Sequence, residues 1–404
     1  MTRTGWALLL GFAACARTGE TGVHGRVIGA DGYPMPGRTV LIGRTPVVTD
    51  DNGAFSLDPV TVPYDVAVAG YLKGFVFQGV TRRDIVLRTN GGSAGAPTSR
   101  SAFVSGQMLG GAPPGTPGIG TVVSWGPTQT VAQTVPDARG AYGLYVFWNG
   151  SDTTQGSVHA LQYREGPDHS ATEFLAHAVA DFTVDAGAFL NGVDLSLEPV
   201  GTRWLLGNLA LPDAGWTEMM AQLELTLGDG TQLFLPGQSL DAGPYTLTVP
   251  SNLDLTATVD VFLARPVPLG PSQFGDFSVF MSVPGLRPGD RVPDLQFSDA
   301  PTLLVPAPGE ALDGGAFRWR AGPGQLSQFI LWDGLWQIDV TTSASSLAVP
   351  DLSALGVALD ARRSIGWAVF GIDSPSSVDA LVSPEAPELI RVSVGGPQQY
   401  VRLP

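Results

Sequence analysis

The chain has 404 residues, of which 15% are charged and 44% apolar, so it is long enough for roughly two to four domains and too apolar for disorder. Its formal net charge is −15 and no basic cluster exceeds Arg82-Arg83 or Arg362-Arg363. That excludes a nucleic-acid partner, which requires a basic patch. Gly 52 and Pro 33, set among short apolar runs, suit many short strands joined by turns.

Arg3 precedes the apolar stretch Trp6-Ala7-Leu8-Leu9-Leu10-Gly11-Phe12-Ala13-Ala14, the form of a secretory signal. Phe12-Ala13-Ala14-Cys15 resembles the lipobox of bacterial lipoproteins, with Phe12 where that pattern usually has Leu. The alternative is a stray Cys closing a plain signal peptide. The resemblance implies a signal over residues 1–15, a tether over 16–21 and lipidation at Cys15. The implied partner is a membrane, reached through this anchor; Ala16 rather than Asp after the Cys is consistent with the outer membrane. Cys15 is the chain's one cysteine, so no intrachain disulfide forms and each domain must hold by its core alone. No other stretch reaches the ~20 apolar residues that span a bilayer.

Strands are predicted at Val23-His24-Gly25-Arg26-Val27-Ile28, at Thr39-Val40-Leu41-Ile42, after the turn Asp50-Asp51-Asn52-Gly53, and at Tyr64-Asp65-Val66-Ala67-Val68. The order Val-x-Gly-x-Val, Gly-x-Pro-x-Pro-Gly-x-x-Val, Thr-Asp-x-x-Gly-x-Phe, Tyr-x-Val-x-Val resembles a carboxypeptidase regulatory-like domain. That resemblance implies a seven-stranded, transthyretin-like β-sandwich over about 22–89, an accessory or stalk module with no catalytic residues. Small residues make 90–100 a linker.

The first segment's opening, middle turn and closing recur. Phe103-Val104-Ser105-Gly106, Gly140-Ala141-Tyr142-Gly143-Leu144 and Asp194-Leu195-Ser196-Leu197 mark a second unit over 101–199. Trp204-Leu205-Leu206-Gly207, Gly243-Pro244-Tyr245-Thr246-Leu247 and Asp294-Leu295-Gln296-Phe297 mark a third over 200–299. From 300 to 404 the pattern changes. Pro306-Ala307-Pro308-Gly309, Phe317-Arg318-Trp319 and Ile365-Gly366-Trp367-Ala368-Val369 resemble a fibronectin type III-like domain, which implies core positions for Trp319 and Trp367. One helical turn is expected within 351–361. The fold class is therefore all-β, in tandem sandwiches.

Little in the chain carries chemistry. The histidines His24, His159, His169 and His177 lack metal-ligand spacing, and they are expected on loops and solvent-facing strand positions. A site built from His159, His169 and His177 is conceivable, with no support from spacing. Ser124 has no base fixed near it, and no Gly-x-Ser-x-Gly elbow or phosphate loop is present. Asp50-Asp51-Asn52 reads as a hairpin turn rather than a calcium loop, since Thr61 stands where the closing Glu would be. No metal, cofactor or catalytic residue is expected.

The aromatics are the best binding candidates. Trp332-Asp333-Gly334-Leu335-Trp336 reads as a two-residue Asp-Gly hairpin, with Trp332 opposite Leu335 and Trp336 opposite Leu331. The two indoles either stand exposed together or pack into the core. Tyr145, Phe147 and Trp148 form a second cluster with the same alternatives. The function expected is a non-catalytic envelope lipoprotein, a spacer or adhesion module that presents binding surfaces to an envelope protein. The alternative is a glycan-binding or glycan-uptake accessory using Trp332 and Trp336; an accessory to a secreted peptidase is a third reading.

Overall fold

Residues 21–29, 32–90, 99–126, 131–149, 151–210, 218–265, 277–294, 299–306, 316–322, 324–360, 363–386, 389–395 and 399–402 are described by a computed structural model. Among them the chain folds into β-strands throughout, with helix confined to Val378–Leu381 and the 3-10 turn Ser353–Leu355. Cys15 and its signal segment lie outside the described residues, as do 91–98 of the expected linker and Leu295 to Phe297 of the third closing motif.

Seven strands lie between Val23 and Arg88. Ala54–Leu57, Val23–Ile28 and Asp84–Arg88 form one sheet in that order, facing the run Thr45–Val48, Thr39–Ile42, Tyr64–Ala69, Lys73–Val80. Val23, Val27, Phe55, Val66 and Leu87 fill the space between. The second sandwich opposes Ala141–Asn149, Ser99–Leu109 and Phe189–Asn191 to a five-stranded sheet centred on Thr153–Glu165. In the third, Gly201–Leu209 pairs with Gly243–Ser251 opposite the sheet of Glu218–Leu227, Leu255–Arg265 and Phe277–Leu286. C-terminally, Thr302–Val305, Ala316–Arg320 and Ser346–Ala348 face Gln337–Thr342, Leu326–Trp332, Ser364–Ser374 and Arg391–Gly395.

The repeated motif has one physical cause. In each of the first three sandwiches the opening strand lies antiparallel to the strand after the middle turn, with a glycine directly opposite an aromatic: Gly25 and Phe55, Gly106 and Tyr142, Gly207 and Tyr245. A Cβ on Gly25 would come within 2.4 Å of the Phe55 ring, and one on Gly207 within 2.1 Å of the Tyr245 ring. On Gly106 it would come within 1.9 Å of the Val193 carbonyl. The glycine therefore opens the space that the facing ring, or the neighbouring backbone, occupies. The turn before each aromatic ends in a left-handed glycine, with φ 69° at Gly53, 83° at Gly140 and 104° at Gly243. In the first two turns an aspartate closes the loop: Asp50 Oδ1 accepts from the amides of Asn52 and Ala54, and Asp137 Oδ1 from those of Arg139 and Ala141. Both are aspartate-closed turns, the form the sequence indicated at Asp50.

Three sandwiches share one sheet. A 14-stranded sheet runs from the third sandwich through the C-terminal one into the first. Phe277–Leu286 pairs antiparallel with Arg391–Gly395, and Gln337–Thr342 pairs parallel with Lys73–Val80. Sheets rarely exceed ~10 strands, so this one is large because separate sandwiches join at their edges. Such pairing satisfies backbone groups that an open edge would leave to solvent. The strands near the second joint are buried on both faces: Gln337–Thr342 has five consecutive buried residues, and Thr39–Ile42 has three. Val40 and Ile42 belong to the first sandwich's core, whereas Leu41, Ala67 and Val76 pack into the core around Trp319, Phe329 and Trp367. Each fully buried Leu or Val side chain contributes about 1.5–3 kcal/mol.

A clasp reinforces the joint. Asp379, in the first turn of Val378–Leu381, accepts from the amides of Thr81 and Arg82 at 2.8 and 3.0 Å and from the Thr81 hydroxyl. The amide of Val86 donates to the Val382 carbonyl at 2.7 Å. The first sandwich is thereby bound to the last, and the second packs on the third through Val122, Leu161 and Phe174.

Candidate functional site

Two kinds of site emerge, an exposed aromatic face and a set of polar side chains held in joints. The aromatic face belongs to the second sandwich's sheet of Ala141–Asn149, Ser99–Leu109 and Phe189–Asn191, to which Leu195–Ser196 adds a short fourth strand. Alternation along Ala141–Asn149 turns Leu144, Val146 and Trp148 inward and Tyr145 and Phe147 outward. Trp148 is thus core, while Tyr145 and Phe147 are surface. Register places Tyr145, Phe103 and Phe189 in one row across the three strands. Phe103 lies 5.1 Å from Tyr145, edge to face, and 5.9 Å from Phe189; Phe147 follows 6.5 Å from Tyr145. Phe189 is 72% exposed and Tyr145 57%. A Cβ on Gly143 would come within 2.4 Å of the Phe103 ring, so that glycine lets the ring lie down on the sheet. Beside the row, Ser105 donates to Asn191 at 2.6 Å. Exposed aromatic rows flanked by hydroxyls and amides suit amphipathic partners.

Trp332 and Trp336 occupy a different setting. Trp332 pairs with Gln337, so the connection is the four-residue turn 333–336 and not the two-residue hairpin expected. Asp333 explains the difference. Its Oδ1 accepts from the amides of Leu335 and Trp336 at 2.8 and 2.7 Å, and its Oδ2 from that of Asp360 at 2.8 Å. Burial pushes this carboxyl up, but the three amides and Arg363 outweigh it and hold it below the ordinary carboxylate range. Trp332 lies across Gly366, where a Cβ would come within 2.1 Å of the indole, and Trp336 packs against the core of the C-terminal sandwich. Both indoles are half-buried. Trp319 and Trp367 are core residues, as expected.

The histidines depart from expectation at one place. His24 and His169 are exposed, on a strand and a turn. His159 is only 6% exposed, because the third sandwich's turn at Asp229 covers the face that sequence alternation leaves to solvent. Its Nε2 lies 2.8 Å from Asp229 Oδ2, its Nδ1 lies 3.1 Å from His177 Nε2, and the two rings stack at 5.3 Å. A carboxylate only accepts, so Nε2 of His159 donates to Asp229, and a single proton is shared between Nδ1 of His159 and Nε2 of His177. Burial, then the neighbouring His159, lower His177 to about 4, against the pull of Asp229. Burial raises the Asp229 carboxyl, and the hydrogen bonds from His159 and Thr231 outweigh this and lower it.

Ser124 pairs directly with His159 across the strands. The serine, histidine and aspartate are nevertheless not wired as a triad. Ser124 is fully buried and its Oγ donates to the Gln232 carbonyl at 2.5 Å, while both ring nitrogens of His159 are engaged elsewhere. A nucleophile needs a base on its own hydroxyl. These groups tie the second sandwich to the third. Sequence could not have found this set, since Asp229 lies 70 residues from His159.

No family model matches the chain, and no curated protein matches it. Among solved structures it is similar to the Bacillus anthracis TIE protein, at 11% identity, 68% of this chain, 50% of that chain and a TM-score of 0.15. It thus spans half the length of that structure. A variant of the shaft pilin SpaA from Lactobacillus rhamnosus GG matches at 7% identity, over 50% of this chain and 100% of the pilin, with a TM-score of 0.14. BcpA, the major pilin subunit of Bacillus cereus, matches at 10% identity, over 65% of this chain and 95% of the pilin, with a TM-score of 0.14.

Proposed function

We propose that this protein is a non-catalytic structural or adhesion module of the bacterial cell envelope, held to a membrane by a lipid on Cys15 and built of sandwiches over 22–89, 101–199, 200–299 and 300–404. One observation carries the reading. Among the described residues, the clustered polar side chains Ser124, His159, Asp229, Asp333 and Asp339 are engaged in turns and joints, while the second sandwich presents an exposed aromatic face. The seven strands of the first sandwich support its carboxypeptidase regulatory-like resemblance, and the three-facing-four strand order of the last supports its fibronectin-like one. Metabolic labelling with an alkynyl fatty acid tests the anchor. Label on the wild type that is lost in Cys15→Ala is the expected result, and an unlabelled wild type removes the anchor from the proposal.

The glycan-binding reading is kept as a second one, favoured by the exposed row Tyr145, Phe103 and Phe189, whose tilted rings present an apolar surface. A glycan array separates the candidates. Binding lost in Tyr145→Ala and Phe189→Ala assigns it to this row. Binding lost in Trp332→Ala and Trp336→Ala assigns it to the hairpin, and no binding to any glycan sinks the reading.

A further inference from the structure

Where the first, third and C-terminal sandwiches meet along the long sheet, a half-open cavity of about 330 Å³ remains. That volume is at the lower end of small-molecule pockets, which run from about 300 to 1,000 Å³. Its apolar wall is formed by Phe75 and Phe77 of the first sandwich, Phe280 of the third and Ile372 of the last. Arg88 and Arg391 also line it, beside polar residues that include Gln328, Asp339 and Ser393.

Acidic residues outnumber basic ones by 37 to 22, and Arg82, Arg100, Arg164, Arg291 and Arg363 each stand beside a carboxylate. Arg88 instead donates to the carbonyls of Ser383 and Pro384, both at 3.2 Å, and Arg391 donates to that of Ala386 at 3.2 Å. Among the described residues neither meets a carboxylate. A guanidinium carries about five N–H donors, so most of theirs remain uncommitted within the protein. Burial, and then the nearby charge of Arg391, push Arg88 below its ordinary range, the response of a cation that lacks an anion. The one acid in the lining, Asp339, is already neutralised by Lys73 at 2.7 Å and accepts from Gln328 and Gln337. The cavity therefore combines an aromatic wall with two unmatched positive charges.

We propose that this cavity binds a small organic carboxylate, its anionic head between Arg88 and Arg391 and its aromatic or short aliphatic body against Phe75, Phe77 and Phe280. Planar bidentate donors recognise carboxylates, and the apolar wall selects a body that simple inorganic anions lack. The ligand would contact three sandwiches at once.

Calorimetric titration of the full chain tests this with 4-phenylbutyrate, its neutral analogue 4-phenylbutanol, and two variants. The acid binds one to one, and the alcohol binds about tenfold more weakly or worse, the effect of losing a charge-assisted hydrogen bond. Arg391→Gln weakens acid binding by a similar factor, and Ser393→Glu, which sets a negative charge in the lining, abolishes it. Both positions lie on an exposed or half-buried side of their strand, and unchanged melting curves verify that the variants fold. The proposal is overturned by equal binding of acid and alcohol, by acid binding that persists in both folded variants, or by no acid binding at millimolar concentration.

Discussion

Two strands of this chain are rich in apolar residues and end up in opposite situations. Ala141–Asn149 carries Tyr142, Leu144, Tyr145, Val146, Phe147 and Trp148, and Ser364–Ser374 carries Ile365, Trp367, Ala368, Val369 and Phe370. The second is buried on both faces within the 14-stranded sheet, whereas the first buries one face and leaves Tyr145 and Phe147 to solvent. An apolar run states that both faces of a strand favour cover; what supplies the cover is settled by distant segments. Among the described residues, the outer sheet of the second sandwich thus has the composition of a covered sheet with one face exposed, the feature on which the proposed binding role rests.

Substitutions at matched aromatics make the contrast measurable. Phe329→Ala, at a fully buried phenylalanine in the core that the first and last sandwiches share, should lower stability by about 3–5 kcal/mol in urea denaturation. A loss below 1 kcal/mol would show that the two-faced burial is not what holds this joint. Gly106→Ala should cost about 1–3 kcal/mol, because its Cβ would meet the Val193 carbonyl and cannot be relieved by turning a side chain. A neutral result would remove the packing explanation of the repeated glycines.

The junction between the second and third sandwiches should respond to acid. The unfolded His177 ring takes up a proton below about pH 6.5, while the folded one resists until about 4, so stability falls as pH drops through that window. Allowing for solvent screening at a half-buried site, the loss is about 1–2 kcal/mol, and it should vanish in His177→Gln. Parallel urea midpoints for wild type and variant across that range isolate this group, and coincident pH profiles would contradict it. The smallest effect is expected at the open face, where Phe189→Ala should change stability by less than about 0.5 kcal/mol. A large loss there would mean that the row is structural and not a surface held for a partner.

The comparison also marks how far the residues alone could lead. The strands at Gly25, Gly106 and Gly207 and the turns ending in Gly53, Gly140 and Gly243 were legible because strand alternation and turn glycines are each written in a few consecutive residues. Core positions for Trp319 and Trp367 were legible for the same reason. The joints were not. Pairing of Val340 with Val76, or of Met281 with Val392, is specified by no short motif, since any strand edge offers the same backbone donors and acceptors. His159 was misread as solvent-facing because its cover comes from Asp229. At Trp332 the Asp-Gly pair suggested the shortest hairpin, yet the Asp333 carboxylate drew two further amides into the turn and shifted the register. The helix Val378–Leu381 escaped notice although its signal is present, with Ser377 capping the Ala380 amide.

Lys73 is the chain's single lysine, and it sits at the joint, 5.1 Å above the Phe75 ring and bonded to Asp339 of the neighbouring sandwich. The folded protein therefore offers one side-chain amine to acylating reagents, and that amine is engaged wherever the first and last sandwiches are closed on each other. Its rate of modification, read by mass spectrometry on the peptide containing Gly74 and Phe75, becomes a clock for how often the long sheet parts at its parallel seam.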